Sequence, residues 1–291
     1  MVKTFAELYL ESRRAIAMGE DKVTASMYTK NLLCHVAGKK PEQLMADMQC
    51  YAPQEICDKM SELVLRTVRG EPLAYVLGEW DFHGMTLHVD KNVLIPRDDT
   101  CAVTDLAIRK ALFLDAAPRI LDLCTGSGCI GLAIANRVKD ARVTLADISR
   151  DAIAVAKKNV SAQKLTGRVS CIVADALSEP LPFLGKFDMI VSNPPYITTA
   201  EMEELPKSVK DYEPTLALHG GTDGLNFYRS IAKNYAQALK QGGFICFEFG
   251  LGQGDSVRKI LTNNGFTILE ITRDYNNIER AVIAQYGRKE D

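Results

Sequence analysis

The chain has 291 residues, 47% of them hydrophobic, which is enough to bury a substantial core and long enough for two domains. Its 35 basic and 37 acidic residues nearly cancel to a net charge of -2, excluding bulk electrostatic attraction to nucleic acid or to an anionic membrane. Eight cysteines, at 34, 50, 57, 101, 124, 129, 171 and 246, form no CxxC pair and have no clustered histidine at zinc-ligand spacing. They read as reduced thiols, and no metal site is expected.

The opening residues, Met1-Val2-Lys3-Thr4-Phe5-Ala6-Glu7, contain no apolar stretch suited to a signal peptide or a spanning helix, so a soluble, cytoplasmic protein is expected. Helical periodicity follows: Phe5, Leu8, Ser12 and Ile16, then Ala25, Tyr28, Leu32 and Val36, then Ile56, Met60, Leu63, Val64 and Val68. Helix stops fall at Gly19, at Gly38 ahead of Pro41, and at Gly70 ahead of Pro72. This predicts a small helical domain over residues 1–75.

From Trp80 the period changes to two. Trp80 and Phe82, then Met85, Leu87 and Val89, alternate with polar residues about a His83-Gly84 turn, predicting a β-hairpin linker over 76–97. Beyond it, over 98–291, short apolar strands alternate with helical stretches, the pattern of an α/β domain built on a parallel sheet. The predicted strands are 119–123, 142–146, 169–174, 187–192, 243–249, 267–271 and 281–285, the last of them antiparallel.

The first of these strands runs into Cys124-Thr125-Gly126-Ser127-Gly128, a glycine-rich turn entering a helix. Glycines lack a β-carbon and can take positive φ, so such a turn lets the backbone approach a ligand closely. Asp147 closes the next strand about 20 residues on, where a carboxylate can accept from both hydroxyls of a ribose. Loop and acid together imply an adenosine-containing ligand. Gly126, Gly128 and Gly131 also satisfy the dinucleotide fingerprint, so hydride transfer with a nicotinamide cofactor stands as a rival. Asp175, followed by Ala176, ends the third strand, where its carboxylate can accept from an adenine amino group or cap a helix.

The fourth strand delivers Asn193-Pro194-Pro195-Tyr196 to the same carboxyl edge of the sheet. A planar amide or aromatic amino nitrogen is a poor nucleophile because its lone pair is delocalised. The Asn193 side-chain oxygen and the Pro194 carbonyl can each accept one of its N–H groups, orienting the nitrogen and stabilising the positive charge that develops on it. The prolines hold those acceptors in place beforehand, since each fixes φ and Pro195 restricts the residue before it. Tyr196 can stack on a planar acceptor, and its ring face suits a sulfonium cation. A hydride-transfer enzyme has no use for two carbonyls converging on an amino group. Methyl transfer from S-adenosylmethionine is therefore the favoured reaction, and a cofactor-binding adaptor without turnover is the non-catalytic alternative.

These segments resemble the peptide chain release factor glutamine N5-methyltransferases, often called HemK or PrmC. The resemblance is carried by Gly70-Glu71-Pro72-Leu73-Ala74-Tyr75-Val76-Leu77-Gly78-Glu79-Trp80, by Val93-Leu94-Ile95-Pro96-Arg97, by residues 121–128 and 192–197, and by Gly220-Gly221-Thr222-Asp223-Gly224-Leu225. It implies a seven-stranded, Rossmann-like class I methyltransferase domain with an N-terminal helical bundle that docks the protein substrate. It further implies that the glycine loop, with Asp147 and Asp175, contacts S-adenosylmethionine, and that Asn193 to Tyr196 grip the glutamine of the Gly-Gly-Gln motif in class I release factors. A monomer with no nucleic-acid or membrane partner is expected. The tetrapeptide alone is shared with DNA adenine and RNA guanine methyltransferases, which form the alternative substrate class. Three positions depart from the family pattern: Cys124 stands where a glycine is usual, Asp98 where a proline is, and Cys101 where an acid is common.

Four histidines, at 35, 83, 88 and 219, form no ligand or nucleophile arrangement, and Lys39-Lys40 and Lys157-Lys158 read as solvated faces. Arg97 either borders the site or forms a salt bridge. Glu213-Pro214 and Gly220-Gly221 belong to a loop inserted between the fourth and fifth strands that can cover the acceptor.

Overall fold

A computed structural model describes residues 3–114 and 117–287. Met1 and Val2 of the opening segment lie outside the described residues. The chain divides into two compact units, Met1–Gly78 with Lys207–Tyr212, and Glu79–Pro206 with Glu213–Asp291.

The first unit holds helices α1 (Phe5–Ile16), α2 (Lys22–Ala37), α3 (Pro41–Ala46), α4 (Gln54–Val68) and α5 (Leu73–Leu77). Side chains supply the caps. Thr4 and Glu7 form a reciprocal capping box, Asp21 accepts from Val23 and Thr24 at the start of α2, and Gly38 ends α2 in the left-handed region at φ 61°. The stripe expected on α1 is buried in full: Phe5, Leu8, Ser12 and Ile16. On α2 and α4 the buried face differs from the expected one. Ala25 and Leu32 are buried, but Thr29 and Leu33 replace Tyr28 and Val36, and on α4 only Met60 and Thr67 are buried while Val68 is 51% exposed. The threonines pack as apolar groups because their hydroxyls donate back to carbonyls one turn earlier, Thr29 to Ala25 at 2.7 Å and Thr67 to Leu63 at 2.9 Å.

In the second unit, β1 (Glu79–Phe82) and β2 (Met85–His88) form an antiparallel hairpin. His83 and Gly84 both have positive φ, 52° and 76°, the geometry of the two-residue turn whose twist matches its strands. Then follow α6 (Cys101–Ala111), β3 (Arg119–Leu123), α7 (Cys129–Arg137), β4 (Arg142–Asp147), α8 (Arg150–Ala162), β5 (Val169–Val173) and β6 (Phe187–Ser192). The short α9 (Glu201–Glu204) comes next; α10 (Lys207–Lys210) is grouped with the first unit. The chain ends with α11 (Asn226–Asn234), β7 (Leu239–Glu248), α12 (Gly254–Asn263), β8 (Phe266–Arg273) and β9 (Glu279–Tyr286).

The seven-stranded sheet has the order β5-β4-β3-β6-β7-β9-β8. Its first five strands are parallel, and β9 runs antiparallel to both of its neighbours. Both faces of the sheet are buried, one beneath α6, α7 and α8 and the other beneath α11 and α12. The antiparallel insertion of β9 distinguishes this sheet from the all-parallel dinucleotide-binding order. The order reverses direction at β3 and β6, so the loops after those strands face one crevice, the usual ligand position in an open α/β sheet.

Candidate active site

Asp122, near the end of β3, anchors the loop that follows. It is fully buried, and its Oδ2 accepts from Thr125 Oγ1 at 2.6 Å and from the Gly131 amide at 2.9 Å. Burial raises its pKa to about 7 against those two donors. Gly131 serves packing rather than ligand approach, because a β-carbon there would meet Leu145 at 2.3 Å and the Asp122 carboxylate at 2.9 Å. Between these anchors, Cys124, Gly126 and Gly128 all take positive φ, 61°, 53° and 86°. Asn159, fully buried, fixes the far side of the loop: its amide donates to Ser127 O and to His88 O, both at 2.9 Å, tying the loop to the hairpin.

A cleft opens in front of this loop. Cys124, Thr125, Gly126, Ser127, Asp147, Asp175, Ala176 and Asn193 line it, joined by Pro195 and, from the segments either side, by Asn92 to Leu94, Arg97 and Thr100. Gly128, Pro194 and Tyr196 do not line it. Gly128 instead caps the start of α7, where an added β-carbon would meet Leu145 at 3.0 Å and Leu132 at 3.2 Å, and Pro194 is buried. The Asp147 carboxylate accepts from the Gly126 and Ser149 amides, each at 2.9 Å, and burial still pushes its pKa above the usual carboxylate value. Asp175 accepts from the Leu177 amide at 2.8 Å and from Ser178 Oγ at 2.8 Å, a local turn that aligns it at the cleft edge. Carboxylate oxygens have lone pairs beyond those used here, so both acids keep the capacity to accept from a ligand. Ser127 Oγ is buried and has no hydrogen-bond partner among the described residues, an open polar atom at a site suited to an adenosine-bearing cofactor.

The tetrapeptide after β6 is held from behind. Ser192 Oγ donates to Leu123 O at 2.5 Å, joining it to the β3 end, and Asn193 Nδ2 donates to Thr100 Oγ1 at 3.2 Å. Gln253 donates to Tyr196 O at 3.0 Å and accepts from the Gly250 amide at 3.0 Å. Gly220, Gly224 and Gly250 pack so closely that added β-carbons would strike Pro195 O, Tyr196 O and the Tyr196 ring at 2.6, 2.2 and 3.0 Å. Tyr196 lines a separate hollow with Ile197, Glu201, Glu204, Leu205, Leu251 and Gln253, and burial drives its phenol pKa far above the usual value. Arg97 satisfies both sequence readings: it borders the cleft and pairs with the buried carboxylate of Glu213, which also accepts from the Ile95 amide at 3.1 Å.

Asp122, Thr100, Gln253 and Glu248, a buried acid at the end of β7, were not among the residues expected from sequence. Asp122 carried a local signal, an acid inside an apolar strand immediately before a glycine turn. The other three come from remote segments, and only the sheet order brings them to the motif.

Residues 105–208 match the family described as Methyltransferase small domain, and residues 20–78 match the PrmC N-terminal domain. A release factor glutamine methyltransferase of Clostridium acetobutylicum is 43% identical over 216 residues, covering 74% of this chain and 75% of that protein. Another, of Chlorobaculum tepidum, is 36% identical over 288 residues, 97% of this chain and 95% of its own. Among solved structures, a methyltransferase from Pyrococcus furiosus has a TM-score of 0.51 at 16% identity, covering 78% of this chain and all of its own, a likeness of fold. Identity of this extent, running through the helical segment as well as the sheet, makes the chain a member of the release factor glutamine methyltransferase family.

Proposed function

We propose that this protein methylates the side-chain amide nitrogen of the glutamine in the Gly-Gly-Gln motif of class I peptide chain release factors. The observation that carries the reading is that Asn193 and Pro195 line the same cleft as the glycine loop, Asp147 and Asp175. The residues we assign to the cofactor and to the amide thus border one continuous space. When bound there, S-adenosylmethionine supplies an electrophilic methyl group.

The chain's own contribution is binding and orientation. Asp147 would accept from the ribose hydroxyls of the bound cofactor, Asp175 and Ala176 would border its adenine, and the loop 124–127 would turn its backbone to the methionine end. Asn193 Oδ1 and the Pro194 carbonyl accept the two N–H groups of the glutamine amide, aligning its lone pair and favouring the charge that builds on nitrogen. Pro195 borders the amide in the cleft, and Tyr196, next along the chain and lining the neighbouring hollow, is the ring we assign to the substrate side of the motif. No base is needed before transfer, because the methylated nitrogen becomes acidic and sheds its proton afterwards. With a net charge of -2 the protein has no bulk attraction to nucleic acid, and we assign it a cytoplasmic, monomeric role acting on a protein partner.

The test is transfer of labelled methyl from S-adenosylmethionine to a purified release factor, beside a version whose motif glutamine is alanine, and beside DNA and ribosomal RNA. Labelling that disappears with the glutamine supports the reading. Labelling confined to nucleic acid overturns the substrate.

A further inference from the structure

Behind Asn193 stands a buried acid that neither the cofactor loop nor the tetrapeptide accounts for. Glu248 ends β7 and is 1% exposed, and its Oε2 has no hydrogen-bond partner among the described residues. β7 lies beside β6 with Phe247 in register with Ser192, so Glu248 is placed beside the strand end that delivers Asn193. Thr100, 2% exposed, belongs to the same cluster. Asn193 Nδ2 donates to Thr100 Oγ1 at 3.2 Å, and both side chains lie close enough to the Glu248 carboxyl to favour its ionised form.

An asparagine amide has nearly the same shape either way round; its two ends differ in that one accepts and the other donates. To receive a substrate N–H, Asn193 must present Oδ1 to the cleft. Flipped, it would set its own N–H groups against those of the substrate. A hydroxyl has a single proton, and a carboxylate only accepts. When the Thr100 hydroxyl gives its proton to an ionised Glu248, the Thr100 oxygen can only accept, which keeps Nδ2 turned inward and Oδ1 outward.

We propose that Thr100 and Glu248 are positioning residues that fix the amide orientation of Asn193 and thereby restrict the acceptor to a group presenting N–H. This deepens the methyl-transfer reading above and rests on it. A protonated Glu248 would donate to Thr100 instead, releasing the hydroxyl proton toward Asn193 and favouring the flipped amide. Burial raises the Glu248 pKa to about 7, with Thr100, Arg280 and Asn193 opposing the rise and Asp99 adding to it. The other titratable groups coupled to Glu248 are Cys101 of α6, Cys129 of α7, Tyr196 after β6 and Tyr228 of α11.

The experiment compares the wild type with Thr100→Val, Thr100→Ser and Glu248→Gln. Turnover with release factor is measured across pH, S-adenosylhomocysteine binding by calorimetry, and the Asn193 side-chain amide by nitrogen NMR in the free protein. Thr100→Val is expected to lower kcat about tenfold, as for loss of one orienting hydrogen bond, with binding of the nucleoside product unchanged. Thr100→Ser should restore kcat, and Glu248→Gln should abolish the acid limb of the kcat profile. In the wild type the Asn193 amide signal should titrate near neutral pH and cease to do so in Glu248→Gln. Wild-type turnover in Thr100→Val, or an Asn193 signal with the same titration in Glu248→Gln, would overturn the assignment. The NMR titration needs no substrate, so it decides this point even if release factor itself were not methylated, an outcome that sinks only the reading above.

Discussion

Gly224 packs against the carbonyl of Tyr196 so tightly that a β-carbon would lie 2.2 Å from that oxygen, and its φ of 72° is one that side-chain-bearing residues rarely adopt. The Gly220–Gly224 turn therefore acts as a backstop that sets the position of the tetrapeptide. Gly224→Ala should displace Tyr196 and the residues before it, lowering kcat by about tenfold or more, since a misplacement of about 1 Å can cost that much. Gly224 does not line the cofactor cleft, so S-adenosylmethionine affinity should stay within about twofold. Steady-state kinetics with calorimetry separates the two effects; a parallel loss of affinity would contradict the backstop role.

Asp147 and Asn193, at the ends of the two strands that flank β3, line one cleft and should fail in opposite ways. Asp147→Ala removes a carboxylate that holds the Gly126 amide and faces the cleft, so cofactor affinity should fall about tenfold or more while turnover at saturating cofactor changes less. Asn193→Ala should leave affinity nearly unchanged and lower turnover about a hundredfold, as for one preorganised acceptor. Equal loss of cofactor binding in Asn193→Ala would remove it from the acceptor role.

The contrast between these residues and their supports shows what sequence could reveal. The glycine loop and the Asn193 motif are contiguous, and each carries its chemistry in a few neighbouring residues. Thr100 lies 93 residues from Asn193, and Gln253 lies 57 from Tyr196; neither spacing has meaning until the sheet order is known. Within the fold, α1 was legible because its apolar stripe is buried in full, whereas α2 and α4 bury threonines whose hydroxyls are satisfied within the helix. β7 begins at Leu239, four residues before the expected start, and continues through Gly242 and Gly243. Glycines read as a break, yet the strand passes through them near an irregularity in its pairing with β6.

Asp122 gives the protein a pH-dependent stability of defined sign. Its folded pKa of about 7 lies above the ordinary carboxylate value, so between about pH 4 and 7 the native state keeps a proton that the unfolded chain has lost. The native state then binds more protons than the unfolded state, so this contribution to stability falls as pH rises through that window and levels off above it. Asp122→Asn keeps an acceptor for Thr125 and Gly131 but does not ionise. Its melting temperature relative to wild type should be higher at pH 8 than at pH 5, as thermal unfolding monitored by circular dichroism can test. A constant difference would show that Asp122 does not titrate in this range.

Cys124 is the departure from the family pattern with a direct structural consequence. A side chain at φ 61° costs on the order of 1 kcal/mol, and it projects where the resemblance led us to expect hydrogen. The residue keeps partial exposure toward the cleft, so access alone does not protect its thiol. Burial of the sulfur and the nearby charge of Asp147 push its pKa well above the usual value, with Ser192 opposing weakly, and little reactive thiolate forms. Iodoacetamide at pH 8 should therefore label the exposed Cys50 while leaving Cys124 largely unmodified, as peptide mapping would show. Cys124→Gly exchanges relief of the positive-φ strain for lost packing and added chain entropy, so its stability should change by less than about 1 kcal/mol. Cys124→Val places a β-branched group in the same strained turn at the cleft wall. It should weaken S-adenosylmethionine binding about tenfold or more and destabilise the protein by roughly 1–3 kcal/mol. Unchanged affinity in the valine variant would mean that this side chain does not border the bound cofactor.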